Sequence, residues 1–80
     1  MIDCKPLTQY PPGSLVTIGE IKLAGPDRLR LQELGLVMGT PVDIIRYAPL
    51  GDPVEIRVRG YHLTLRRHEA DLVLVGPTGS

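Results

Sequence analysis

The clearest pattern in the chain is a strict alternation of apolar and charged residues over positions 54–59. Side chains of a β-strand point alternately to its two faces, so this segment predicts a strand with one buried face and one solvated face. The apolar residues are Val54, Ile56 and Val58, and the charged ones are Glu55, Arg57 and Arg59.

Four further segments have the composition of strands, and each is bounded by turn residues. They are residues 15–23, 41–48, 61–67 and 72–76. Gly19, in the middle of the first of these strands, indicates a bulge or a sharp bend. In the predicted strand 61–67, Leu63 and Leu65 are expected to face inward, with His62 and Thr64 outward. Residues 68–71 fit a single helical turn.

One stretch, residues 25–35, predicts a helix of about two turns. Pro26 costs no helical hydrogen bond in a first turn, and Gly35 suits the left-handed residue that ends a helix. A helix this short is unstable alone and must dock on the rest of the fold. The residues expected on its apolar side are Leu31 and Leu34, broadened by Leu29.

These elements predict a mainly β domain: a small, closed or half-closed antiparallel barrel of about five strands with one short helix. The whole chain, residues 1–80, is expected to form one domain. Residues 1–6 and 76–80 are expected to be loose ends, because neither carries an apolar pattern of its own.

Composition limits where such a domain works and what it binds. Cys4 is the single cysteine, which excludes an internal disulfide and fits a reducing compartment. The composition does not exclude a weak homodimer. No apolar run reaches the ~20 residues that span a bilayer, and no signal peptide is evident, so a cytoplasmic protein without membrane insertion is expected. The formal net charge is zero, which disfavours nucleic acid as a partner.

A Gly-Asp pair bracketed by prolines follows the second predicted strand. A phosphate-binding loop needs glycines that open onto a helix, with a lysine and a hydroxyl residue. Here Gly51 and Asp52 open onto Pro53 and a strand, so a tight turn is the better interpretation. Leu50 at such a rigid tip can also anchor a partner at low entropy cost, and the two interpretations are compatible.

Three arginines near this turn offer a second docking surface. We expect Arg57, Arg59 and Arg66 to project from neighbouring strands on the outer face. A solvated barrel face is the ordinary explanation, since surface ion pairs contribute little to stability. The alternative is a basic patch that binds an acidic protein surface through guanidinium groups.

Metal binding is weakly indicated. The candidate ligands are Cys4, His62, His68 and Glu69, and the six-residue spacing of the histidines matches no dedicated zinc motif. We expect no required cofactor, with Fe(II) or adventitious zinc or nickel as the weaker alternative. No grouping of nucleophile and base is recognisable, and a barrel this small is expected to lack a ligand pocket of the usual volume, so the chain is not expected to be an enzyme.

The motifs "RLQELG", "APLGDPVEIRVRG" and "LTLRRHEADLVLV", with the opening strand "LTQYPPGSLVTIGEI", resemble the FeoA family of small bacterial ferrous iron transport proteins. The resemblance covers residues 7–75. The chain departs from the commoner pattern at Met38, where a proline often precedes the glycine.

The resemblance implies an SH3-like barrel and a cytosolic role in supporting FeoB, the membrane ferrous-iron transporter with a GTP-binding domain. The same barrel occurs at the C-terminus of metal-dependent repressors. Because no helix-turn-helix segment precedes it here, the transport role is expected. Two hypotheses follow: a protein-interaction module that docks on FeoB through residues 50–53, the arginines or the exposed side of the helix, and a regulatory domain that binds a transition metal, with a metal-bridged dimer as one form.

Overall fold

The computed structural model describes residues 4–78. The strands are β1 (Lys5–Pro6), β2 (Leu15–Ile21), β3 (Pro41–Tyr47), β4 (Val54–Val58), β5 (Tyr61–Leu65) and β6 (Val73–Pro77). The helices are α1 (Gly25–Glu33) and α2 (Arg67–Ala70), and a 3₁₀ turn follows β1 at Leu7–Gln9. All strand pairs are antiparallel, and the strands lie side by side in the order β1-β6-β2-β3-β4-β5.

The sheet curls around a single core. Alternate residues of β2 to β6 are buried in one apolar cluster, which a flat six-stranded sheet could not enclose with one face. The prediction of a mainly β antiparallel fold is therefore confirmed, with six strands within residues 4–78 rather than the predicted five. The strand residues in this core are Val16, Ile18, Ile21, Val42, Ile44, Val54, Ile56, Val58, Leu65, Val73 and Val75.

Two bulges help the sheet to curl, because an extra residue in one strand bends it and increases its twist. The pairing of β2 with β6 shifts register between Ile18 and Glu20, so Gly19 is the bulged residue, as predicted. The Sγ atom of Cys4 lies against Gly19, so a Cβ at this position would require the Cys4 side chain to move. A second bulge, between Ile44 and Arg46, was not expected from the sequence.

Helix α1 packs on the core through fewer residues than its leucine spacing indicates. Leu31 is fully buried, but Leu34 lies just past the last helical residue and, like Leu29, is exposed. The prediction of a broad apolar helix face is therefore wrong. The chain reverses at Gly35, whose φ is 93°, and the N–H of Leu36 donates to the oxygen of Leu31 at 2.9 Å. Leu36, which follows this helix-ending turn, is buried in the same core cluster as Leu31, so the second buried leucine comes from beyond the helix.

The predicted loose ends are partly ordered strand. Lys5 pairs with Val75 and Pro6 with Leu74, while residues 76–77 belong to β6. Strand β6 lies inside the sheet, so the backbone N–H and C=O groups along both of its edges need hydrogen-bond partners. Residues 5–6 supply these partners along one edge. Residues 1–3 and 79–80, also predicted to be loose, lie outside the described residues.

Tyr47 fixes the segment that follows β1. Its hydroxyl donates to the backbone oxygen of Tyr10 at 2.6 Å and also lies 3.1 Å from that of Leu7, which is fully buried. Burial raises the pKa of Tyr47 above its ordinary value, although the nearby charge of Arg67 opposes the shift. Tyr47 therefore stays neutral and acts as a donor at ordinary pH.

Among residues 4–78, no helix has the length and apolar character needed to cross a membrane.

Candidate functional site

The connection between β3 and β4 is a tight loop, residues 48–53, that we call the tip loop. Two backbone hydrogen bonds close it: the N–H of Gly51 donates to the oxygen of Ala48 at 2.6 Å, and the N–H of Ala48 donates to that of Pro53 at 3.1 Å. Gly51 has a φ of 83°, a conformation that glycine adopts without strain. The segment is therefore a tight turn, as its sequence predicts.

The tip loop is also held from outside, by the first residue of α2. The carboxylate of Asp52 accepts a hydrogen bond from the backbone N–H of Arg67 at 3.1 Å. The guanidinium of Arg67 lies against Gly51, where a larger side chain would meet it. Asp52 thus ties the loop to the helix, in a contact that the turn chemistry alone did not indicate.

Leu50 sits at the end of this supported loop and is 95% exposed, the most exposed of the large apolar residues in the described part of the chain. An exposed leucine needs no special explanation by itself. The loop that carries Leu50 is closed by backbone hydrogen bonds and is anchored on α2, which fixes its conformation. Leu50 is therefore presented from a defined position, flanked by the exposed Pro49.

The three arginines do not form the row that the sequence predicts. Only Arg57 lies in a strand. Arg59 has a φ of 52° and occupies the turn between β4 and β5. Arg66 follows the last residue of β5 and directly precedes α2. Since Val58 pairs with Tyr61 at one end of the β4–β5 ladder and Val54 with Leu65 at the other, Arg59 and Arg66 lie at opposite ends of it.

The outer face between β3 and β4 carries mixed charge rather than a basic patch. Arg57 pairs across the strands with Asp43, Nε to Oδ2 at 3.4 Å, and Arg46 pairs with Glu55. All four side chains are between 36% and 62% exposed, so these ion pairs contribute little to stability. The geometry of this face is that of a solvated, self-neutralised surface.

The candidate metal ligands are distributed over separate elements. Cys4 precedes β1, His62 lies on the outer face of β5 opposite Arg57, and His68 lies on α2; all three are exposed. Within residues 4–78, no three histidine, cysteine, aspartate or glutamate side chains are close enough to hold a metal ion together. Glu69 points elsewhere, as described next.

Glu69 is a buried link between the two helices, with 3% of its surface exposed. Oε2 accepts a hydrogen bond from Nη2 of Arg30 at 2.5 Å, and Oε1 accepts one from the backbone N–H of Arg66 at 3.0 Å. Burial alone raises the pKa of this carboxyl, but the two hydrogen bonds and the charges of Arg30 and His68 more than offset it, so the pKa is lowered. Both oxygens of this ionised group are engaged.

The sequence indicates Glu69 only as a candidate metal ligand and does not predict this structural role. Its position three residues after Arg66 was a usable signal, since a glutamate there reaches back to the backbone N–H at a helix start. The partnership with Arg30, 39 residues away, left no local trace in the sequence.

An open groove of about 690 Å³ lies where α1, the tip loop, β5 and α2 approach one another. The expectation that so small a barrel lacks a concavity of ligand size is therefore wrong, although this concavity is an open groove between elements and not an enclosed cavity. The lining is almost entirely charged or polar: Asp27, Arg30, Asp52, Pro53, Thr64, Arg66 and Glu69.

Comparisons with known proteins identify the family of this chain and structures similar to it. A family model described as the FeoA domain matches residues 5–77. A fusion protein from Porphyromonas gingivalis, named Fe(2+) transport protein A/Fe(2+) transporter FeoB, is 34% identical over 64 residues. That match covers 80% of this chain but 8% of the relative, so the chain spans a small part of the relative's length.

Two solution structures are similar over nearly the whole chain. The FeoA protein of Chlorobium tepidum is 35% identical with a TM-score of 0.87, covering 92% of this chain and 70% of that one. A FeoA-like protein of Clostridium acetobutylicum is 34% identical with a TM-score of 0.87, covering 100% of this chain and 93% of that one. The predicted SH3-like fold is thereby confirmed. With the family model matched from residue 5 to residue 77, the chain belongs to the FeoA domain family.

Proposed function

We propose that this chain is a small cytoplasmic accessory protein of ferrous iron uptake that docks on the cytosolic GTP-binding part of a FeoB-like transporter. The observation that carries the proposal is the fusion relative, in which a segment 34% identical to this chain shares one polypeptide with FeoB. A covalent link raises the effective concentration of two modules that bind each other. In this role the chain catalyses no reaction, and iron is the cargo of the transporter.

The tip loop is the docking element that we favour. Leu50 is almost fully exposed, while the backbone beneath it is held by the Gly51–Ala48 hydrogen bond and by the Asp52–Arg67 contact. An apolar side chain on a pre-organised loop loses little conformational freedom when it enters a pocket of the partner. At interfaces, a few side chains that enter well-packed pockets carry most of the binding energy, and we propose that Leu50 is one of them.

Replacing Leu50 by aspartate tests the proposal. We expect the affinity of the Leu50→Asp variant for the isolated GTP-binding domain of the transporter to fall at least about tenfold, because a charge would enter the pocket that received the leucine. The unfolding midpoint should stay unchanged, since Leu50 contributes nothing to the core. Isothermal titration calorimetry and thermal unfolding measure the two quantities.

Met38 provides the matched control. It is 73% exposed and lies in the turn before β3, whereas Leu50 lies in the turn after it, at the opposite end of that strand. Met38→Asp makes the same change of charge at an exposed apolar residue and should leave the affinity within about twofold. Equal losses in the two variants would contradict docking through the tip loop, and absence of binding by the unmodified chain would contradict the function itself.

A further inference from the structure

Strand β5 ends the sheet on one side. Within residues 4–78 it pairs with β4 and with no other strand. Arg59 and Gly60 form the two-residue turn that joins these strands, and both have positive φ, 52° and 84°. In a hairpin with such a turn, the flanking residues exchange both backbone hydrogen bonds, and bonded and non-bonded pairs alternate from there.

The register then decides which backbone groups of β5 are used. Val58 pairs with Tyr61 at the turn, so Tyr61, Leu63 and Leu65 bond to β4. The N–H and C=O groups of His62 and Thr64 point away from β4, along the open edge. No residue between 4 and 78 hydrogen-bonds to these four groups, and both side chains are exposed.

Proteins ordinarily protect such an edge with a proline, a bulge or a covering segment. β5 contains no proline, and its five pairs with β4 run in unbroken register. A regular edge with free donors and acceptors is the template on which an extended peptide adds as a further strand.

The charged groove adjoins this edge at Thr64, and α1 forms part of its wall through Asp27 and Arg30. Its lining carries three carboxylates and two guanidiniums. Arg30 and Glu69 neutralise each other, and the guanidinium of Arg67 lies beside the tip loop that carries Asp52. Among residues 4–78, the carboxylate of Asp27 has no such partner, so the end of the groove at Asp27 favours a basic side chain. The groove is continuous with the proposed docking element, because Asp52 and Pro53 belong to both.

We propose that an extended segment of the transporter's cytosolic part adds to the free edge of β5 as a seventh strand and places a lysine or arginine in the groove. This inference rests on the function proposed above, since it names how the same partner is held. The added strand would pair with the N–H and C=O groups of His62 and Thr64, and its basic side chain would lie near Asp27.

Amide hydrogen exchange tests the pairing directly. In the ¹⁵N-labelled chain, the amides of His62 and Thr64 should exchange at least about tenfold more slowly when the transporter's GTP-binding domain is bound, because each N–H gains a hydrogen bond to the added strand. The amides of Leu63 and Leu65 already bond to β4 and serve as internal controls. Binding without protection of His62 and Thr64 would overturn strand addition and leave the proposed function standing. No binding at all would overturn both.

A pair of substitutions at one position tests the same edge by affinity. His62→Pro removes the outward N–H, and proline is tolerated on an edge strand where that N–H has no partner. We expect binding to weaken at least about tenfold in His62→Pro and less than about twofold in His62→Ala, which keeps the N–H. Equal affinities of the two variants would overturn the inference. If His62→Pro fails to fold, the exchange experiment decides.

Two substitutions on α1 test the charge of the added segment. Asp27→Asn removes a carboxylate that lines the groove, and Glu33→Gln removes one from the same helix that does not line it. We expect binding to weaken about threefold or more in Asp27→Asn and to stay unchanged in Glu33→Gln. Unchanged or tighter binding of Asp27→Asn would overturn the assignment of a basic segment.

Discussion

Replacing Leu31 by alanine is expected to lower the free energy of unfolding by about 2–5 kcal/mol, the usual cost of truncating a fully buried leucine. Leu31 is the one residue of α1 that is buried in the described structure. It is buried in the same core cluster as Leu36, so its truncation removes the side chain through which α1 is buried in the core. In an 80-residue domain, a loss of this size is a large part of the total stability.

Leu29 is the control for this measurement, because it lies on the same helix and is 55% exposed. Leu29→Ala should change the free energy of unfolding by no more than about 0.5 kcal/mol, as is usual for surface positions. Urea unfolding followed by circular dichroism measures both variants. Similar losses for Leu29→Ala and Leu31→Ala would mean that α1 packs through the broad leucine face that its sequence indicates, against the structure.

Replacing Glu69 by alanine is expected to cost about 2–3 kcal/mol. The substitution leaves the N–H of Arg66 without its acceptor and removes the partner of Arg30. Truncating one member of a fully buried ion pair costs about 3–5 kcal/mol. The expected value is smaller because the side chain of Arg30 is 46% exposed and water can solvate its charge once the partner is gone.

The contribution of Glu69 should depend on pH in a definite direction. Because the pKa of the folded carboxyl lies below its ordinary value of 4.5, the ionised form stabilises the fold. That stability is fully present above the ordinary pKa and is lost as the pH falls through the lowered one. The difference in unfolding free energy between the unmodified chain and Glu69→Gln should therefore be largest near neutral pH and shrink in acid.

Urea unfolding of both proteins from pH 7 downward measures this difference. Glu33→Gln, at an exposed position of α1, controls for the change of net charge and should show no comparable trend. A difference between Glu69→Gln and the unmodified chain that stays constant, or grows, as the pH falls would contradict an ionised Glu69 held by Arg30 and Arg66.

The strands were predictable because their information is local. Alternation placed Val54, Ile56 and Val58 in the core, and the glycine in β2 marked its bulge. Arg59 shows where local alternation misleads. It continues the pattern of β4, but a two-residue turn before Tyr61 requires two residues with positive φ, and Arg59 is one of them.

The groove and the helix contact were not predictable because they depend on residues far apart in sequence. Arg30 and Glu69 meet only because the curled sheet brings α1 beside α2, and each residue alone has the appearance of an ordinary surface charge. The same holds for Asp52, which a turn explains locally but which also caps α2. The exposure of Leu34 is also not predictable locally, since leucine spacing cannot show that the helix has already ended at Glu33.

The most direct test of docking is a chemical-shift map of the ¹⁵N-labelled chain titrated with the unlabelled GTP-binding domain of a FeoB-like transporter. We expect saturable changes at the amides of Leu50, Gly51 and Asp52 and along β5, with little change at Met38 on the far end of β3. Absence of any change at high concentration, or changes confined to the region of Met38, would contradict a FeoA domain that works by presenting its tip loop to the transporter.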